Sequence, residues 1–286
     1  MPREPLTVIV PCLDEEANLA STIADILAVA PDLPVDVDVL MIDDGSTDGT
    51  RALMERLCAE HPRLRMRVNP GNLGLGRSVM RAYEEIPEGT WVTVFPGDNE
   101  YVFASVANLL EARARYDIVL GYLQNPVIRP IMRRLASYAF TKVVSSLYGF
   151  SFRYLNGFKL YRVETVRGLD VVSGGHAYTA EILAKAVLRQ PLLRIGEAPF
   201  AARGRAEGAS KAFRPQSILR AVREVVAGFR SVQAYRDQLL RAQAVPGPSA
   251  GVQPGEPGGE PAVLSPAERE EGAPVVDATP QGRTDA

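Results

Sequence analysis

Three short loops carry most of the side chains able to do chemistry in this 286-residue chain. PCLDEEANL (11–19), DDGSTDGT (43–50) and PGDNEY (96–101) each follow an apolar, β-branched run, and each is dense in carboxylates. Asp98 and Glu100 are two apart, so on an extended segment their side chains point the same way and can face one hard cation. Oxygen ligands of this kind suit Mg²⁺ or Mn²⁺ held partly by substrate phosphates. A cation bridging a diphosphate would offset the charge that grows on a diphosphate leaving group. Helix capping is the bland alternative, and it accounts for Ser46, Thr47 and Asp48. It does not account for Asp43 and Asp44 directly after VDVLMI, or for Asp98 and Glu100 after TWVTVFP.

These loops need a rigid platform, and the first 120 residues supply one. Strands are expected at LTVIVP (6–11), VDVLMI (37–42), LRMRV (64–68), TWVTVFP (90–96) and DIVLG (117–121), with helices near 15–29, 47–60, 74–86 and 102–114. Buried β-branched runs separated by helices of ten to fifteen residues predict βαβ units and a mostly parallel α/β sheet flanked by helices. Ligands bind such sheets at the carboxyl ends of the strands, which is where the three acidic loops fall.

Composition narrows the field. Hydrophobic residues make up 46% and charged residues 23%, which excludes a wholly disordered or collagen-like chain. A net charge of -2 does not suit a general nucleic-acid coat, so no nucleic-acid partner is expected. Cys12 and Cys58 are too few for a disulfide framework or a cysteine zinc site, and His61 and His176 too few for a His-rich centre. No segment reaches the ~18–20 apolar residues of a membrane span, and LTVIVP runs into Asp14, Glu15 and Glu16 too soon for a signal peptide. A cytoplasmic protein is expected. Residues 244–286 hold seven acids, two Arg, eight Pro and seven Gly, which predicts a disordered acidic tail.

PCLDEEANL, VLMIDDGSTDGT, NPGNLGLG and FPGDNEY, in this order and spacing, resemble the family 2 inverting glycosyltransferases of the GT-A fold, a Rossmann-like nucleotide-diphospho-sugar transferase architecture. The resemblance spans residues 5–212. EILAKAVLRQPLLRIGEAPFAARGRAEGASK is similar to the dolichyl-phosphate mannose synthase and polyprenyl-phosphate branch of that family. The resemblance implies that Pro11, Leu13 and Glu15 line the nucleobase and ribose pocket, and that Ile42, Asp43 and Asp44 hold the base or ribose. It implies that Asp98 and Asn99 contact the ribose and diphosphate, that Asp98 and Glu100 hold Mg²⁺ or Mn²⁺, and that Arg205 and Lys211 bind the diphosphate or close over the donor. The chain departs from the family's Asp-x-Asp with Asp98-Asn99-Glu100, and from its Ser-Gly-Phe with Asn156-Gly157-Phe158.

The middle of the chain is basic. Residues 129–167 hold eight Lys or Arg against one acid, Glu164. Arg129, Arg133, Arg134 and Lys142 fall on a helical pattern, read either as a solvated basic face or as a grip on an anionic acceptor such as a lipid phosphate. The polyprenyl-phosphate resemblance favours Arg129 and Arg133 for that grip, with Lys159 beside them. A second basic amphipathic helix is expected over 213–243. It could lie peripherally on an anionic membrane, pack on its own domain, or join two copies of the chain.

The function expected is inverting transfer of a sugar from a GDP- or UDP-linked donor to a polyprenyl phosphate. A hydroxyl on a small molecule or glycan is the alternative acceptor, and it would require a general base. Glu181 is the candidate base, with His176 on the same segment. A nucleotide-sugar-binding protein without catalysis is the third reading. No G-x-x-x-x-G-K-[ST] is present, and GNLGLG does not directly follow the first strand, which argues against P-loop and dinucleotide-binding enzymes.

Overall fold

The computed structural model describes residues 3–128, 130–175, 177–203 and 215–244. Arg129, His176, Arg205 and Lys211, and the expected tail beyond its first residue, lie outside the described residues.

Seven strands form one sheet in the order β3-β2-β1-β4-β6-β5-β7. They are β1 (Glu4–Cys12), β2 (Val35–Asp43), β3 (Leu64–Val68), β4 (Trp91–Val94), β5 (Ile118–Leu123), β6 (Lys159–Arg162) and β7 (Ile195–Phe200). The β3·β2, β2·β1, β1·β4 and β5·β7 ladders are parallel. β6 runs antiparallel to both β4 and β5. The helices are α1 (Leu19–Val29), α2 (Thr50–Glu60), α3 (Leu75–Tyr83), α4 (Val106–Ala112), α5 (Ile131–Tyr148), α6 (Val163–Val166), α7 (Tyr178–Arg189) and α8 (Pro215–Ala244).

Strand alternation splits the buried residues into two layers, one on each face of the sheet. Leu6, Val8 and Val10 of β1 pack with Leu19, Ile23 and Ile26 of α1 on one face. Ile9 and Ile42 pack with Val79 of α3 and with Ile182 and Leu183 of α7 on the other. Covering both faces explains why β1 and β2 read as nearly unbroken apolar runs. At the carboxyl edge the chain leaves β1, β2 and β4 on one side of the sheet, so the three acidic loops become neighbours.

The two basic helices turn out differently. α8 packs on its own domain: Val232 is buried, Val225 and Tyr235 lie against the second core layer, and Phe229 meets Tyr148 of α5 at 6.0 Å. The first turns of α5 expose their apolar side chains. Arg133 and Arg134 are half-buried, while Ile131, Met132, Leu135, Tyr138 and Val143 are exposed. The reading of a solvated basic face fails for Arg133 and Arg134, which are half-buried, and holds for Lys142, which is exposed, while Phe140, Val144 and Tyr148 pack on the core. Among the described residues no helix is long and apolar enough to cross a membrane.

Candidate active site

The first two acidic loops lock together through reciprocal side-chain to backbone hydrogen bonds. Ser46 Oγ accepts from Asp14 N at 3.1 Å, and Asp14 Oδ1 accepts from Thr47 N at 2.7 Å. Glu16 Oε2 accepts from Gly49 N at 2.9 Å, and Thr50 Oγ1 accepts from Glu15 N at 2.9 Å. Asp14 takes a φ of 57°, a left-handed conformation that Asp tolerates and that many other side chains do not. The third loop joins them through Thr22, whose hydroxyl donates to the Gly97 carbonyl at 3.0 Å.

The two carboxylates after β2 have separate duties. Asp43 Oδ1 accepts from Ser46 N at 2.8 Å and shapes its own loop. Asp44 is buried and gathers the NPGNLGLG segment. It accepts from Asn69 Nδ2, Leu73 N and Gly74 N at 2.9 Å each, and from Ser78 Oγ at 2.7 Å. Asp44 is thus an anchor for a glycine-rich loop rather than a group facing outward to a ribose. Ile42 is corrected as well: its side chain lies wholly in the core, so it cannot line a base pocket. Gly45 holds the same junction at a φ of 86°, and a Cβ there would sit 2.7 Å from Asn72 N. Gly45→Ala is expected to cost about 1–3 kcal/mol from backbone strain and to weaken donor binding, measured by denaturant unfolding and by titration with nucleoside diphosphates.

At the end of β4 the chain turns through Asn99, whose φ is 53°. Asp98 Oδ1 accepts from Glu100 N at 3.2 Å. Asn99 Oδ1 accepts from Arg203 Nη1 at 2.6 Å, and the same guanidinium pairs with Asp25. Arg203 is a residue that motif reading missed; its signal was only its place as the first residue of the basic run RGRAEGASK. Glu100 is 6% exposed and makes a bidentate pair with Arg133: Nη1 to Oε1 at 3.1 Å and Nη2 to Oε2 at 2.8 Å. A residue expected on the acceptor side therefore touches a residue expected on the cation side.

Asp98 and Glu100 fit a hard divalent cation by chemistry. Mg²⁺ sites commonly use one or two carboxylates and take the remaining oxygens from water and substrate phosphates. Among the described residues no group of three or more His, Cys, Asp or Glu is arranged to hold a metal. A cation on Glu100 would share that carboxylate with Arg133, whose fork already takes one hydrogen-bonding position on each oxygen.

Pro11, Leu13, Glu15, Asp43, Asp98, Asn99, Glu100 and Arg133 lie on the three loops or against them. Leu13 is 43% exposed. Glu15 carries a hydrogen bond from Asn18 Nδ2 at 2.9 Å. Cys12 is buried, and burial pushes its thiol pKa well up, so it serves packing and not nucleophilic chemistry.

Two other expected site residues turn inward. Lys159 on β6 is buried, and its ammonium donates to the Leu155 carbonyl at 2.5 Å and to Thr179 Oγ1 at 3.3 Å. Burial lowers its pKa from 10.5 to about 7. The folded state then binds fewer protons than the unfolded chain between pH 7 and 10.5, so Lys159 makes stability rise with pH across that window. Lys159→Met is expected to flatten the rise, read as the wild-type minus variant difference in denaturant unfolding at pH 7, 8 and 9.

Glu181 on α7 is fully buried and accepts from Val172 N at 3.2 Å, Ser173 N at 3.0 Å, Ser173 Oγ at 2.7 Å and Lys185 Nζ at 2.9 Å. Lys185 continues to the Asp170 carbonyl and to Ser231 Oγ of α8. Burial raises the Glu181 pKa, but the hydrogen bonds from Ser173, Lys185 and Ser231 outweigh it and leave the carboxyl below its ordinary 4.5. A carboxylate with its lone pairs so committed is a clamp between α7, the 170–173 segment and α8. The expectation of a general base is overturned on that ground.

Residues 7–167 match the model of the family described as glycosyl transferase family 2. The chain belongs to that family. This family 2 glycosyltransferase is 26% identical over 222 residues to the dolichol-phosphate mannosyltransferase of Saccharomyces cerevisiae, covering 72% of this chain and 80% of that protein. It is 26% identical over 200 residues to the undecaprenyl-phosphate mannosyltransferase of Micrococcus luteus, covering 64% and 81%. Among solved structures it resembles glucosyl-3-phosphoglycerate synthase of Mycobacterium tuberculosis, with a TM-score of 0.60 and 20% identity over 81% of this chain and 80% of that one. That protein was crystallised with Mn²⁺, UDP-glucose and phosphoglyceric acid. The likeness places the glycosyltransferase in the GT-A fold.

Proposed function

We propose that this glycosyltransferase moves a sugar from a nucleoside-diphosphate sugar to the phosphate of a polyprenyl lipid, with inversion at the anomeric carbon. The observation that carries the reading is the Arg133–Glu100 pair, which puts a guanidinium from α5 in direct contact with the donor-side loop. Guanidinium forks match phosphate oxygens, so the same residue can hold an anionic acceptor close to the leaving group. The buried, clamped Glu181 supports a phosphate acceptor over a hydroxyl. A phosphate is already anionic and needs no base, whereas a hydroxyl must lose a proton. The names of the yeast and Micrococcus relatives support the lipid phosphate.

In this reading the loops after β1 and β2 hold the base and ribose, and Asp98 and Asn99 meet the ribose and diphosphate. Mg²⁺ or Mn²⁺ on Asp98 and Glu100 would supply charge neutralisation on the departing diphosphate. Arg205 and Lys211 join the diphosphate contacts, and Arg129 joins Arg133 at the acceptor. The transferase domain is assigned to residues 5–212, with 213–243 as a helical extension that touches an anionic lipid surface or a second copy of the chain. Calorimetric titration with UDP- and GDP-sugars, with and without Mn²⁺, tests the donor half. Cation-dependent binding of one donor is expected; no binding under any condition would leave a fold without this chemistry.

A further inference from the structure

The turn that presents Asp98 and Glu100 is held from outside its own loop by one residue. Asn99, between the two carboxylates, takes a left-handed φ of 53°, a conformation that persists where the surroundings fix it. Arg203, just past the end of β7, fixes it twice. Its backbone N donates to the Glu100 carbonyl at 2.7 Å, continuing the pairing in which Val102 N donates to the Ala201 carbonyl at 3.0 Å. Its guanidinium donates to Asn99 Oδ1 at 2.6 Å and pairs with Asp25. Asp25 belongs to α1 and to none of the three acidic loops, so it anchors the guanidinium to the body of the domain.

A guanidinium has five N–H donors and no acceptor. The atom that Asn99 turns toward Arg203 must therefore be its oxygen, and the two N–H donors of the carboxamide point the other way. Donors suit an anion, whereas an oxygen turned that way would repel one. Resting on the reading above that Asn99 meets the diphosphate of the sugar donor, we propose that Arg203 is a positioning residue for that donor. Asp25 aims the guanidinium, the guanidinium fixes the Asn99 carboxamide, and the carboxamide donates to a diphosphate oxygen. The same contacts hold the turn from which Asp98 and Glu100 project. Arg203 touches no ligand in this arrangement, which separates it from an arginine that grips phosphate itself.

The test is calorimetric titration of the full chain with UDP and with GDP at saturating Mn²⁺. Arg203→Met frees the carboxamide to rotate and is expected to weaken binding of the preferred nucleotide about tenfold, the scale of one hydrogen bond to a charged group. Asp25→Asn is expected to weaken it several-fold. The double variant is expected to bind no more weakly than Arg203→Met alone, because Asp25 acts through Arg203. The side chains of Arg203 and Asp25 are 41% and 30% exposed, so the fold is expected to survive these changes. Asn99→Asp separates positioning from packing. It keeps the pair with Arg203, so Tm is expected to hold, but the atom facing the diphosphate becomes an oxygen and binding is expected to fall about tenfold. Unchanged nucleotide binding in Arg203→Met or in Asn99→Asp overturns the proposal. Additive losses in the double variant overturn it too, because Arg203 would then act on the nucleotide without Asp25. If the wild type binds neither UDP nor GDP, the donor reading itself fails, and the assignment of Arg203 with it.

Discussion

Glu100→Gln is expected to lower sugar transfer by about 10²–10³-fold, the usual loss when one group that stabilises developing charge is removed. The substitution keeps the side chain's shape and deletes the charge that both Arg133 and a cation need. The fold should survive: Arg133 is 26% exposed and can turn to water, so the stability loss is expected to stay below about 2 kcal/mol. The reciprocal variant separates the two partners. Arg133→Gln removes the competitor for Glu100 and is expected to tighten Mn²⁺ binding several-fold, read from the EPR signal of free Mn²⁺ with nucleoside diphosphate present. The same variant is expected to raise KM for the acceptor. Unchanged Mn²⁺ affinity in Arg133→Gln would mean that the cation does not use Glu100.

The largest stability effect is expected at Glu181. Glu181→Ala leaves Lys185 charged and buried, and breaking a buried pair in this way costs about 3–5 kcal/mol. For a domain of this size that corresponds to a fall in Tm of roughly 10 °C. Because the Glu181 pKa is held below 4.5, its stabilisation is present in full above that pH and is lost as pH falls through the lowered value. Glu181→Gln should therefore flatten the acid limb of the wild-type unfolding profile. Transfer per folded molecule is expected to remain within a few-fold of wild type, and its pH profile to keep its shape. A variant that stayed stable and lost the basic form's activity would restore Glu181 as a base.

These contrasts show where sequence stops being readable. The β-branched runs of β1, β2 and β4 and the acidic loops were legible because strand burial and strand-end chemistry are local properties. Ile42, Asp44, Lys159 and Glu181 were not, because the direction a polar side chain takes is decided by what packs against it. Asp44 is consumed by Asn69, Ser78 and the 73–74 backbone, all at least 25 positions away. Glu181 did carry a local sign of its role, the Lys four residues on, which makes an i,i+4 pair on a helix. What the spacing could not reveal was that this pair faces the core. α5 shows the same limit from the other side, since its periodicity locates a basic and an apolar stripe without saying which faces the protein. β6 escaped notice because KLYR is only four residues long and sits antiparallel between two otherwise parallel groups.

The most direct measurement is transfer itself. Purified protein, a radiolabelled nucleoside-diphosphate sugar and Mn²⁺ would be incubated with a short polyprenyl phosphate or with the matching polyprenol, and the lipid phase counted. The predicted result is a labelled, acid-labile sugar phosphate ester formed from the phosphate alone, and lost in Glu100→Gln. Labelling of the polyprenol at a comparable rate, or no labelling of either lipid by protein that binds the donor, would contradict a phosphate acceptor held by Arg133 against the donor loop.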